Sequence, residues 1–281
     1  MIRGRRALTA DFADAARSGV PIGLLILAAA IPAARPLVLV ALIARVAVAI
    51  RRGSPVRWAW AAPIPVAVNL CWGLLPAPLA DPLGADCTDL DSPPAVWRAA
   101  EAALALGSLA LLAYVLRAHR SDLGLRWPAR AVVRLAAVGA LVLGPIGLMV
   151  GALVARPFFG EFELDLSRPG FLMPALVFAL ANGVMEELSY RGALLGWTSL
   201  ATRASRVTGP WLAVIGQAIV FGLAHGGADV GGSPIVLMLA LGAGGFIAGV
   251  ITLRTRSLLV PIAWHVALDL PLYVYLACRA P

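Results

Sequence analysis

The sequence predicts an all-α polytopic membrane protein of about eight transmembrane helices, with a distinct core in its C-terminal four-helix portion. Three observations carry the fold class. The 281-residue chain is 60% hydrophobic and only 14% charged, whereas a soluble domain averages about 25% charged residues. Apolar runs long enough to span a bilayer, roughly 17 to 25 residues, recur along its whole length. Those runs are continuous instead of alternating, which points to helices and away from a barrel. The mean hydropathy is +0.87.

The elements follow in order. Residues 1–17 are basic, with Arg3, Arg5, Arg6 and Arg17, and read as a segment on the cytoplasmic surface. Residues 18–50 are apolar but interrupted by Arg35-Pro36. They read as one long kinked helix or as a hairpin of two short helices. A signal peptide is a third reading, because "IPAARP" places small residues after an apolar run. A second apolar run follows at once, which favours a retained membrane segment. Further apolar runs cover 58–77, 98–116, 131–155, 171–200, 210–227, 234–253 and 257–277.

The links alternate in charge. Arg51, Arg52 and Arg57 follow the first segment, and Asp81, Asp86, Asp89 and Asp91 follow the second. Arg117, Arg120, Arg126 and Arg130 come next, then Glu161, Glu163 and Asp165. Arg203 and Arg206 precede residue 210, and Arg254 and Arg256 precede residue 257. Basic links inside and acidic links outside make one topology, with the C-terminus outside. The first segment is the exception. A cytoplasmic N-terminus and a cytoplasmic 51–57 link require an even number of crossings between them, so eight and nine crossings both stay open.

The net charge of +8 and pI near 10.6 do not mark a nucleic-acid binder. All 23 basic residues are arginine, and most sit in short links between apolar runs. Lysine-free, alanine-rich composition reads as a GC-rich bacterial genome, and the expected location is a bacterial plasma membrane. Cys71, Cys87 and Cys278 form no CxxC or zinc-finger spacing and read as unpaired thiols. Cys87 and Cys278 would both face outside, and nothing in the sequence brings them together.

Ionisable side chains inside spanning helices are expensive, at about 2.5–3.5 kcal/mol each on insertion scales, and are functional candidates by default. Only the last four apolar segments carry a dense set: Asn182, Glu186, Glu187, Arg191, His225, His265 and Asp269. Glu187 and Arg191 are i,i+4, share a helix face and can pair. Glu186 is rotated from Glu187 by about 100°, so it points elsewhere and lacks that partner. Asn182 lies four residues before Glu186, on its face. The pair of glutamates thus divides into a clamp and a working group. Phe221 and His225 are i,i+4, so the ring can fix the imidazole. His265 and Asp269 are i,i+4 as well, and the carboxylate can orient the histidine.

Each constellation alone has a bland reading. A lone histidine near a helix end is more often a satisfied polar residue, and a Glu–Arg pair is more often structural. His119, in the arginine-rich link, is assigned no role. Three constellations on three of the last four helices are harder to dismiss. If those helices pack together, Glu186, His225, His265 and Asp269 could converge on a water-accessible pocket.

The order EExxxR (Glu186, Glu187, Arg191), FxxxH (Phe221, His225) and HxxxD (His265, Asp269) resembles the CPBP family of CAAX-protease and bacteriocin-processing (Abi) intramembrane proteases. The resemblance covers roughly residues 170–277. It divides the chain into N-terminal helices without a motif, 1–165, and a protease-like core, 166–281. It implies that Glu186 and His225 activate a water for attack on a peptide carbonyl. His265 and Asp269 would stabilise the oxyanion or hold the site, and Glu187 with Arg191 would be a structural pair.

Glu186, His225, His265 and Asp269 are also an acceptable zinc set, although the chain lacks the HExxH helix. A metal-free, glutamate-dependent mechanism fits the same residues. The expected substrate is a membrane-associated peptide or protein, with no nucleic-acid partner. Two other classes use the same residues: a transporter with a proton or metal relay, and a catalytically silent immunity or scaffold protein. On the charge-derived topology His225 lies near the outer end of its helix and His265 near the inner end of its own, a conflict of depth within one site.

Overall fold

The computed structural model of the protein describes residues 19–75, 93–159, 169–202, 208–226 and 233–277. The basic segment 1–17, the acidic links 81–91 and 161–165, Arg203, Arg206, Cys87 and Cys278 lie outside the described residues. Among the described residues every regular element is helical.

The first apolar segment is two helices, α1 (Gly19–Ala30) and α2 (Arg35–Arg51). Extended backbone at Ile31 and a 3-10 turn at Pro32–Ala34 separate them. The run expected at 58–77 is also divided, into α3 (Arg57–Ala61) and α4 (Ile64–Trp72). Pro63 and Pro65 explain the break, since neither ring carries an amide hydrogen to continue the ladder. α5 (Pro93–Leu116) and α6 (Arg130–Phe159) follow, with the 3-10 turn Arg120–Leu123 between them.

The C-terminal portion begins with α7 (Leu172–Glu186), which continues as a π-helix over Glu187–Trp197 and ends in the short α8 (Thr198–Ala201). α9 (Thr208–Ala224), α10 (Pro234–Thr255) and α11 (Leu259–Ala277) complete the chain. Among the described residues, five helices are long and apolar enough to cross a membrane: Pro32–Arg51, Ala95–Leu116, Arg130–Gly147, Leu172–Ala201 and Pro234–Thr255. Gly19–Ala30, Gly209–Ala224 and Leu259–Tyr273 are shorter apolar helices. Large apolar side chains face outward along them, with Leu37 and Leu141 each 75% exposed and Leu239 69%. A surface this apolar fits a hydrocarbon solvent. The protein is an integral membrane protein with several transmembrane helices.

α11 packs along α6 and α7, α5 joins α7 to α4, and α9 lies against α10 and the π segment. Small residues set the closest approaches, as expected where lipid supplies no hydrophobic drive between helices. A β-carbon on Gly222 would run into the carbonyl oxygen of Met238. One on Gly183 would meet Val266 Cγ2 at 2.9 Å, so α7 and α11 touch where His265 sits. One buried apolar cluster takes in Leu25, Leu42, Trp60, Leu109, Tyr190 and Phe221. The division at residue 165 is therefore one of motif, while N-terminal and C-terminal helices share a core.

Arg35, which interrupts the first apolar segment in the sequence, is buried. Its Nε donates to Ala28 O at 3.2 Å and its Nη1 to Leu70 O at 3.1 Å. Both carbonyls lie in the last turn of a helix, where a carbonyl has no intrahelical donor and the dipole favours a cation. The guanidinium thus holds the C-terminal ends of α1 and α4 at one level.

Candidate active site

The site is built at the junction of α7 and the π segment. Glu186 and Glu187 straddle it, 6% and 2% exposed. Glu187 Oε1 accepts from Arg191 Nη1 at 2.8 Å, the expected clamp. The same oxygen also accepts from His265 Nδ1 at 2.8 Å. The other ring nitrogen of His265, Nε2, lies 3.6 Å from Glu186 Oε2 and 3.5 Å from Asp269 Oδ2. The two glutamates diverge along the helix, as the rotation between them implies, and the two nitrogens of one imidazole span the difference.

His225 stands just past the end of α9, with its Nε2 4.0 Å from Glu186 Oε1. Its Nδ1 lies 2.7 Å from Phe221 O. A carbonyl only accepts, so Nδ1 carries a proton and Nε2 is the nitrogen turned towards Glu186. The Phe221 ring packs on the imidazole at 4.9 Å between centroids. That ring also meets Tyr190 edge-on at 5.0 Å and His265 at 6.3 Å, and it lies under the Arg191 guanidinium at 4.4 Å. Phe221 is therefore the apolar hub on which both histidines and the clamp rest.

Asp269 is held by Asn182, whose Nδ2 donates to its Oδ2 at 2.8 Å. Asn182 carried no site role in the motif reading, although its spacing put it on the Glu186 face. The sequence reading missed a second buried polar group altogether. Asn69 Nδ2 donates to Glu101 Oε1 at 2.6 Å, and Arg98 Nη1 pairs with Glu101 Oε2 at 2.6 Å. Asn69 also touches Met185 Sδ at 3.5 Å, beside Glu186. The available signal was a glutamate and an asparagine inside N-terminal apolar runs. Each stood alone, without a motif to group them. His119 lies away from the site, at the cap of the Arg120–Leu123 turn.

The depth conflict resolves in the packing. Gly209 touches Thr202, so α9 starts level with the end of α8. His225 lies sixteen residues on from Gly209, and Glu186 sixteen residues back from Thr202. The link before α11 does not reach that level. Leu258 is 1% exposed, its amide donates to Gly124 O at 3.2 Å, and Gly192 packs against its side chain. α11 thus begins inside the bundle, and about two turns of rise bring His265 to the glutamates.

Glu186 Oε2 and Glu187 Oε2 are both buried without a hydrogen-bond partner, and two imidazole Nε2 atoms face the Glu186 carboxylate. An unsatisfied buried acceptor costs about 1–3 kcal/mol. Among the described residues no group of three or more His, Cys, Asp and Glu side chains is gathered as a metal site.

No curated protein and no solved structure matches the chain. A family model does: residues 168–271 match the type II CAAX prenyl endopeptidase Rce1-like family. The match takes in all three motifs and stops short of the N-terminal helices. Residues 168–271 thus match the model of the family that the EExxxR, FxxxH and HxxxD motifs resemble.

Proposed function

We propose that the protein is an intramembrane endopeptidase in which Glu186 and His225 activate the attacking water. The observation that carries this reading is the unpartnered Glu186 carboxylate facing two histidine nitrogens. The 4.0 Å gap between His225 Nε2 and Glu186 is too long for a hydrogen bond and suits a water accepted by both groups. The water oxygen bonds to the peptide carbonyl carbon while its proton passes to Glu186. The carbonyl π electrons move to oxygen, and His265, donating, stabilises that charge. Collapse of the tetrahedral species breaks the C–N bond, and the proton held by Glu186 leaves with the amine. Asp269 and Asn182 hold His265 from behind. Glu187 and Arg191 fix its ring.

The five long apolar helices and the three shorter ones are read as eight crossings of a bacterial plasma membrane. The substrate is read as a membrane-associated peptide of the CAAX type, reaching the site past His225, whose side chain is 29% exposed. The test is cleavage of a prenylated CAAX peptide and of a membrane-anchored peptide library by protein in detergent, followed by mass spectrometry. Glu186→Ala and His225→Ala should each abolish cleavage with the fold retained. Normal cleavage by either removes the mechanism. Metal content per chain on the same preparations separates the two chemistries. Stoichiometric zinc that is lost in His225→Ala and His265→Ala would replace the side-chain-activated water with a metal-bound one.

A further inference from the structure

Three side chains of the N-terminal helices form a polar chain against α7. Arg98 Nη1 donates to Glu101 Oε2 at 2.6 Å, and Asn69 Nδ2 donates to Glu101 Oε1 at 2.6 Å. The same amide nitrogen carries a second hydrogen, and Met185 Sδ lies 3.5 Å from it. A carboxylate only accepts, so Glu101 fixes which end of the Asn69 amide faces α7. Met185 is fully buried and packs with Ala102 and Ala105 of α5. It is the residue before Glu186.

The chain grips α7 twice. Besides the Met185 contact, the Arg98 guanidinium lies 5.7 Å from the centre of the Phe178 ring. Phe178 and Met185 are seven residues apart, close to two turns, and share one face of the helix. Two contacts on one face fix both the rotation of a helix and its position along its axis. Rotation matters here because α7 ends at Glu186. The Glu187 amide is divided between Gly183 O and Val184 O, so the ladder that would hold the next turn in register loosens at that point. An asparagine and a glutamate are costly in lipid, and apolar side chains of similar volume would hold the helices together as well. A directed polar contact adds one preferred register.

We propose that Asn69 is a positioning residue for Glu186. Held by Glu101, it sets through Met185 the angle at which α7 presents the Glu186 carboxylate to His225 and His265. The effect on turnover rests on the proteolytic reading above. The effect on the placement of Glu186 does not, and it is measured without substrate.

The experiment uses the full chain in detergent. Asn69→Leu removes both donors, and Met185→Leu removes only the sulfur. Leu42→Ala, in an apolar cluster with no α7 member, is the control for lost stability. The readouts are kinetics on a peptide that the wild type cleaves and labelling of Glu186 by dicyclohexylcarbodiimide, located by mass spectrometry. Asn69→Leu should lower kcat by about tenfold or more with KM within about twofold. Met185→Leu should lower kcat by about threefold, the size of one weak hydrogen bond. Both should raise labelling of Glu186 as the carboxylate turns away from the imidazoles, and Leu42→Ala should do neither below its unfolding temperature. If Asn69→Leu does not fold, Met185→Leu decides. If the wild type cleaves no peptide, the proteolytic reading fails and labelling alone decides. Turnover and labelling that match those of Leu42→Ala overturn the proposal.

Discussion

Glu101 and Glu186 are buried carboxylates on neighbouring helices, 7% and 6% exposed, and they differ in what their oxygens touch. Glu101 has a donor at 2.6 Å on each oxygen, one from Asn69 and one from Arg98. Glu186 has a bare Oε2 and two imidazole nitrogens at 3.6 and 4.0 Å. The first carboxylate is saturated and can only hold helices together. The second is left short of donors. Burial does not separate these two carboxylates, whereas the donors around them do, although an open oxygen is shared by Glu187 Oε2 in the clamp.

Four substitutions break or sharpen that comparison. Glu186→Gln keeps the shape and removes the base, so the rate of peptide cleavage should fall by about 10² to 10⁴ with an unchanged thermal midpoint. A loss of folded protein instead would make Glu186 a structural acid like Glu101. Arg191→Ala leaves Glu187 buried and short of its charge partner. Its cost should be about 3–5 kcal/mol, read as lower folded yield and earlier thermal unfolding, and unchanged yield and stability would sink the clamp.

Gly183→Ala acts through packing. Its β-carbon would press on Val266, the neighbour of His265, at 2.9 Å. A shift of α11 by part of an ångström should lower kcat, by up to about 10²-fold. Gly144→Ala is the control, since its β-carbon meets α11 at an ordinary 3.7 Å, and equal losses in the two would remove the positional argument. Glu101→Gln should have the smallest effect on turnover, within about threefold, while lowering stability by about 1–3 kcal/mol. Abolished cleavage with stability intact would show that saturation is the wrong criterion.

Much of the site was legible because lipid makes polar residues conspicuous. Glu186, His225, His265 and Asp269 stand out of apolar runs, and the structure brings them within 4.0 Å of one another in a chain of contacts. The Glu187–Arg191 pair followed from spacing alone. Asn69 and Glu101 did not stand out, because a single polar residue in a helix has no local partner to reveal it. Their bond joins positions 32 residues apart. The second role of Glu187, on His265 78 residues away, is equally invisible to spacing. So is the π-helix at Glu187–Trp197, which no residue pattern announced.

By itself, the sequence determined the membrane environment, the helical class and which polar side chains meet at the candidate site. These follow from composition and from the cost of polar groups in hydrocarbon, which act residue by residue. Tertiary structure alone decided the depth at which each histidine sits and which donors reach each carboxylate. The glycine contacts and the buried Leu258 turn set how far α11 enters the bundle, and no periodicity encodes that distance. Whether an acid is saturated depends on donors brought from other helices, and their approach is fixed only when the helices pack.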